Sequence, residues 1–254
     1  MKRESQNRHK HFLPQYCDSV IMQALILAGG YGKRLRPYTE NIPKPLIPIK
    51  GKPILEYQLN WLINQGIKNY VFLVGYKADK IIEYFSDGSK WGVDIEYSVE
   101  DEPLGTAGAI KNASRYIDGE VFLVLNGDII TDLRILPLIE ALSTYKASIA
   151  LIPMPSPYGI VETDEEGVIT RFREKPILDD KWINGGVYAM RREILRILPD
   201  KGDIEKMVFP HLAEEKLMRG IKYQGVFWRS IDTVKDLEYM EDKVGRYREY
   251  FVGR

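Results

Sequence analysis

One cysteine, Cys17, and three histidines are all that the chain holds of the residues most used for staples and soft metals. A lone cysteine excludes a disulfide framework and any Cys-based zinc site. His9, His11 and His211 fall outside every motif described below, so imidazole acid–base catalysis has no candidate. Neither sign of charge is in excess. Lys+Arg and Asp+Glu stand at 36 each in 254 residues, which leaves no global field pointing to nucleic acid or a membrane. Any polyanion binding must be local. No apolar run approaches the ~20 residues of a membrane span. There is no repeat, no low-complexity tract and no linker. Residues 1–21 lack the apolar stretch of a signal peptide, and a cytoplasmic setting is the default.

What is present suits one large α/β domain. Residues 1–21 (MKRESQNRHKHFLPQYCDSVI) are basic and aperiodic and read as a mobile extension; a single domain is expected over 22–254. Strand-like runs at Gln23–Ala28, Tyr70–Val74, Asp94–Val99, Val121–Leu125 and Ala147–Ile152 alternate with helical periods at Ile54–Gln65, Asp79–Phe85, Thr106–Tyr116 and Leu133–Tyr145. Such alternation implies crossover units and a mostly parallel sheet with helices on both faces. The second half changes pattern. It offers a hairpin at Ile160–Thr163 and Val168–Arg173, and a strand at Gly186–Met190. Helices at Arg192–Leu198 and Ile204–Arg219 follow, then a strand at Ile221–Val226. This half is expected to add a lobe over the edge of the first within one mixed sheet.

Ligands of open α/β sheets sit outside the carboxyl ends of the strands, which sorts the motifs. Gly29, Gly30 and Gly32 follow the first strand directly, where glycine lets backbone N–H groups approach a phosphate. The dinucleotide fingerprint fails, because Leu35 stands where its third glycine belongs, and Walker A fails for want of G-K-[ST]. Arg34 and Lys44 supply the positive charge that transfer at phosphorus requires, and Pro43 and Pro45 stiffen the backbone around Lys44. Asp128 exits the buried run VFLVL within Asn126-Gly127-Asp128, a placement that suits a magnesium ligand. Asp132 is expected to cap the helix that begins at Leu133. Asp232 could be a second metal ligand or the cap of a helix over Thr233–Met240.

The stretch LAGGYGKRLRPYTENIPKP resembles the signature of the sugar nucleotidyltransferases, G-G-x-G-x-R-L-x-P-x-T followed by P-K-P. The resemblance runs from about Met22 to Leu237. It implies a Rossmann-like three-layer domain with a central mixed, mostly parallel sheet. It also implies an enzyme that joins a nucleoside triphosphate to a sugar 1-phosphate with release of pyrophosphate. Arg34, Lys44 and Asp128 would then be catalytic, and Asp128 and Asp232 would hold Mg²⁺. Leu27, Ala28, Gly29, Gly30 and Gly32 would line the nucleotide. The segment YGIVETDEEGVITRFREKP and the run Asn184-Gly185-Gly186 resemble the family's sugar side, which would put Gly159, Glu174, Lys175 and Asn184 on the sugar phosphate. Many members carry a C-terminal left-handed β-helix. The chain ends before one, so a trimer built on such repeats is not expected, though a homo-oligomer remains possible.

The segment Glu100-Asp101-Glu102-Pro103-Leu104-Gly105-Thr106-Ala107-Gly108 resembles the base-binding loop in the form found in guanylyltransferases acting on mannose 1-phosphate. Glu100, Gly105 and Thr106 would contact the base. Guanine presents two adjacent donors that one carboxylate can accept, whereas uracil and thymine set two carbonyls against it. Glu100 could also be a solvated charge at the strand end. A uridylyl- or thymidylyltransferase acting on glucose 1-phosphate is the alternative. A non-catalytic sensor of nucleotide sugars is the alternative of another class, and loss of Arg34, Lys44 or Asp128 would have favoured it.

Overall fold

The run Gln23–Leu27 forms β1 in the interior of the sheet, with Ala24 and Ile26 packed into one layer and Leu25 into the other. A strand covered on both faces reads as a continuous apolar run because neither face meets water. The structure, a computed structural model, describes residues 22–246; the extension expected over residues 1–21 lies outside the described residues. After β1 come β2 (Pro48–Ile49), β3 (Lys52–Pro53), β4 (Asn69–Val74), β5 (Asp94–Val99), β6 (Val121–Asn126) and β7 (Ile129–Thr131). The second half adds β8 (Ala147–Pro155), β9 (Ile160–Thr163), β10 (Ile169–Arg173), β11 (Ile177–Arg191), β12 (Met218–Lys222) and β13 (Trp228–Ser230).

Seven of these strands make one sheet in the order β12-β8-β11-β6-β1-β4-β5. β11 runs antiparallel to both its neighbours and the other pairings are parallel, so the sheet is mixed and mostly parallel as expected. The second half therefore extends the sheet itself through β8, β11 and β12, while the β9–β10 ribbon and the β13 strand, paired with β7, stand apart. One face is covered by α2 (Ile54–Ile63), α3 (Ala78–Phe85) and α5 (Leu136–Glu140). The other is covered by α4 (Gly105–Asn112), α6 (Ile204–Met207) and α7 (Phe209–Glu214). The short α1 (Tyr38–Asn41) follows the glycine loop, and α8 (Val234–Arg246) closes a third cluster with Leu35, Ile49, Tyr57 and Ile231.

Several expectations need correction. The helix expected over Leu133–Tyr145 is α5 alone with a 3₁₀ turn at Ala141–Ser143. It begins late because Pro137 suits the first turn of a helix and no later position. Asp132 does not cap it, since its Oδ1 accepts the Phe227 N–H at 2.8 Å. The helix expected over Ile204–Arg219 splits at Val208, ahead of Pro210. The chain after Lys216 turns into β12, which starts three residues before the expected Ile221. Arg192–Ile197 is 3₁₀ rather than α, and the Gly186–Met190 run is the end of the 15-residue β11.

Candidate functional site

The glycine loop leaves β1 at the carboxyl edge of the sheet and packs against the segment that bears Lys44. Gly32 has φ +60°, and a Cβ there would lie 2.8 Å from Thr39 Cγ2 and 3.0 Å from Lys44 Cβ. Glycine thus allows both the backbone conformation and the close approach. Lys44 opens a 3₁₀ turn between its two prolines, and its side chain is only 13% exposed. Its Nζ donates to Asp128 Oδ2 at 2.6 Å and to Asp232 Oδ1 at 3.0 Å. Arg34 donates to the same Asp232 oxygen at 2.7 Å. Four residues from four segments therefore meet at one point, as the motifs implied.

Backbone hydrogen bonds bring the two carboxylates together. The Gly127 N–H donates to the Leu27 carbonyl at 2.9 Å, and any Cβ at Gly127 would collide with that carbonyl. β7 leaves the Asp128 turn and pairs antiparallel with β13, and the Ile231 N–H donates to the Asp128 carbonyl at 2.8 Å. Asp232 follows directly. It does not cap α8: Thr233 precedes the helix and donates its N–H to Asp236 of the first turn at 2.8 Å, which leaves the Asp232 carboxylate to the site. Burial tends to raise the Asp232 carboxyl. The Ser230 hydroxyl, the Lys44 ammonium and the Arg34 guanidinium outweigh it and hold the group below the usual carboxylate range.

These charges rim a cleft of about 240 Å³ that Leu27, Ala28, Gly30 and Gly32 also line. A second cleft of about 320 Å³ shares Leu27, Gly30, Gly127 and Asp128 with it and extends over Gly29, Glu100, Gly105 and Thr106. All the residues singled out for a nucleotide thus lie on one continuous surface. Glu100 reaches it through a slot, since a Cβ on Gly29 or Gly75 would lie 2.5 or 2.7 Å from its Oε1. Burial pushes the Glu100 carboxyl up, opposed by the Leu104 N–H that donates to its Oε2 at 3.2 Å. Gly105 has φ +74°, and α4, which it begins, is tied to the 200–203 loop through Ala107 N–H to Gly202 carbonyl, 2.9 Å.

The sugar-side residues gather less tightly. Gly159 and Glu174 are neighbours, with Glu174 Oε2 3.1 Å from where a Gly159 Cβ would stand. Lys175 is largely exposed and lies 3.7 Å from Glu174. None of the three lines either cleft. Asn184 points inward, donating to the Tyr188 hydroxyl at 2.8 Å while its Oδ1 accepts the Gly186 N–H at 2.7 Å. Sequence reasoning missed Tyr188, Glu205 and Gln58. Glu205 accepts from the Thr106 hydroxyl at 2.8 Å and stands 3.5 Å from the Tyr188 hydroxyl, so it joins the first turn of α4 to β11. Tyr188 hides in an apolar strand run, and Glu205 sits on a four-residue helix with no motif to mark it.

Among the described residues no cluster of three or more His, Cys, Asp or Glu could hold a metal unaided. The Lys44 ammonium lodged between Asp128 and Asp232 shows that the pair accepts a cation. Two carboxylates open to a cleft match the habit of Mg²⁺, which takes one or two protein carboxylates and completes its shell with phosphate oxygens and water. The residues present therefore fit such an ion.

A model of the family described as nucleotidyl transferase matches residues 23–245. The chain belongs to the nucleotidyl transferase family. Similar members include the mannose-1-phosphate guanylyltransferase catalytic subunit beta of Drosophila pseudoobscura pseudoobscura, 38% identical over 84% of this chain and 60% of that protein. The chain thus spans about three fifths of that relative's length. The D-glycero-alpha-D-manno-heptose 1-phosphate guanylyltransferase of Campylobacter jejuni is 40% identical over 76% of this chain and 86% of its own. Among solved structures, HddC from Yersinia pseudotuberculosis complexed with GMP-PN superposes with a TM-score of 0.70 at 30% identity, over 87% of this chain and 98% of that one.

Proposed function

We propose that the chain is a sugar-1-phosphate guanylyltransferase that joins GTP to mannose 1-phosphate or a closely related sugar 1-phosphate. The observation that carries the reading is the convergence of Arg34, Lys44, Asp128 and Asp232 on a cleft continuous with the Glu100 slot. An oxygen of the sugar phosphate attacks the α-phosphorus in line, and pyrophosphate leaves. Arg34 and Lys44 meet the charge that builds on the triphosphate oxygens, and no protein nucleophile is needed. Lys175 pairs with the sugar phosphate and Glu174 accepts from sugar hydroxyls, with Gly159 giving room beside it. Asn184 lines the sugar pocket, steered by Tyr188. Asp128 and Asp232 would hold Mg²⁺, which supplies charge neutralisation of the phosphates when bound.

Two points support guanine over the other bases. The Glu100 carboxylate is set in a slot at the second cleft, where it can accept two neighbouring donors. The named relatives include guanylyltransferases for mannose 1-phosphate and for a manno-heptose 1-phosphate. A cytoplasmic setting accords with phosphorylated substrates, and among the described residues no helix is long and apolar enough to cross a membrane. The test is pyrophosphate release with each common nucleoside triphosphate against a panel of sugar 1-phosphates. Release with GTP and a manno-configured acceptor supports the reading, and release with no pair favours a sensor.

A further inference from the structure

Gln58 is a polar side chain in an apolar place. It lies on α2, which packs its flanking residues Leu55, Leu59 and Leu62 into the core, and it is 2% exposed. Its Nε2 donates twice, to the Asn126 carbonyl and to the Ile129 carbonyl, each at 2.8 Å. Those two carbonyls flank Gly127-Asp128. One amide group therefore grips both ends of the turn that carries Asp128. Its Oε1 is buried without a partner. A buried unpaired acceptor is costly, and a core position that needed only bulk would be better filled by Leu or Met. What Gln58 supplies there that Leu or Met would lack is its two donors.

The opposite side of the turn is already fixed, because the Gly127 N–H is bound to the Leu27 carbonyl at 2.9 Å. The hold reaches the second carboxylate as well. Ile129 pairs with Ser230 across β7 and β13, and the Asp128 carbonyl takes the Ile231 N–H at 2.8 Å. A shift of the turn would carry Asp232 with it. Resting on the guanylyltransferase reading, we propose that Gln58 is a positioning residue that sets Asp128 and Asp232 at the spacing a divalent cation requires. It touches neither substrate and acts through the Asn126–Ile129 backbone.

Gln58→Met keeps the volume, removes both donors and also removes the unpaired acceptor, so its effect on unfolding temperature is expected to be small. Gln58→Leu, which is near in volume and also lacks both donors, is a second route should the first fail to fold. Mn²⁺ binding is followed by electron paramagnetic resonance at 15 °C in the presence of GTP and without sugar phosphate. Weakening of about tenfold is expected in either variant, from the loss of two hydrogen bonds that hold the ligand turn. KM for the sugar 1-phosphate should stay unchanged, while the Mg²⁺ concentration for half-maximal rate rises. Phe85→Leu, a core change at the end of α3, serves as a control that lowers stability away from the site. Unchanged Mn²⁺ affinity in a folded Gln58 variant, or an equal weakening in Phe85→Leu, would overturn the proposal. Asp128→Asn run in parallel separates the two failures: if it too keeps Mn²⁺ affinity, the metal reading itself is wrong.

Discussion

Lys44 Nζ stands 2.6 Å from Asp128 Oδ2, and the ammonium is almost fully enclosed. Its positive charge fills the space between the two carboxylates. On the proposed reading a bound triphosphate would give the same lysine phosphate oxygens to turn to and would leave the carboxylates to a metal. Lys44→Met is therefore expected to have two opposite effects. Turnover should fall by about 10²–10³, the usual cost of losing one charge-stabilising donor at a reacting phosphate. Mn²⁺ should bind the ligand-free variant more tightly than the wild type, because a competing positive charge is gone. Paramagnetic titration of both proteins without nucleotide checks this, and weaker Mn²⁺ binding in the variant would contradict it.

The lowered Asp232 carboxyl makes a pH prediction with a definite sign. A carboxyl held below its unfolded value contributes stability that is present above about 3.9 and is lost as pH falls through the still lower folded value. Asp232→Asn should lower the unfolding temperature at pH 7, and the gap from wild type should close below about pH 4. Thermal unfolding from pH 7 to pH 3 tests it. A gap that stays constant across that range would mean the carboxylate is not held by Lys44 and Arg34.

Glu100 has the opposite sign. Burial raises its carboxyl, so its charge costs stability above the folded value and costs nothing below the unfolded value of about 4.3. Glu100→Gln should raise the unfolding temperature at pH 7, with the gain fading as pH approaches about 4. The same change should weaken GTP use and favour UTP or dTTP, since Gln can donate to one carbonyl and accept the ring N–H. Lost paired bonds of this kind are worth about tenfold to a hundredfold in kcat/KM. An unchanged ranking of triphosphates in the variant would remove Glu100 from the base site.

Much of this was legible in the residues. β1 and β6 read correctly because strands covered on both faces leave uninterrupted apolar runs, and the Gly32, Lys44 and Asp128 elements are contiguous motifs. The failures have two causes. Pro137 and Pro210 break helical periods whose apolar spacing runs on past them, so α5 begins late and the 204–219 helix splits. Asp132, Glu205, Tyr188 and Gln58 act through partners 95, 99, 4 and 68 or 71 residues away, and apart from Tyr188 no local pattern can signal such a distance. Tyr188 has a near partner in Asn184, but a tyrosine in an apolar strand reads as core.

Lys175 faces solvent beside Glu174 and should act on the acceptor alone. Lys175→Ala removes a charge-assisted contact worth about 1.5–3 kcal/mol, so KM for the sugar 1-phosphate should rise by about tenfold or more while KM for GTP stays within about twofold. Steady-state kinetics with each substrate varied in turn give the split. An equal change in both constants would place Lys175 on the nucleotide or outside the site.

The most direct measurement is kcat/KM for pyrophosphate release with GTP, ATP, CTP, UTP and dTTP, each paired with mannose 1-phosphate, a manno-heptose 1-phosphate and glucose 1-phosphate. GTP with a manno-configured acceptor is expected to lead by about tenfold or more over any pyrimidine nucleotide. A lead for UTP or dTTP with glucose 1-phosphate would contradict the guanine reading, and no release from any pair in the presence of Mg²⁺ would contradict catalysis itself.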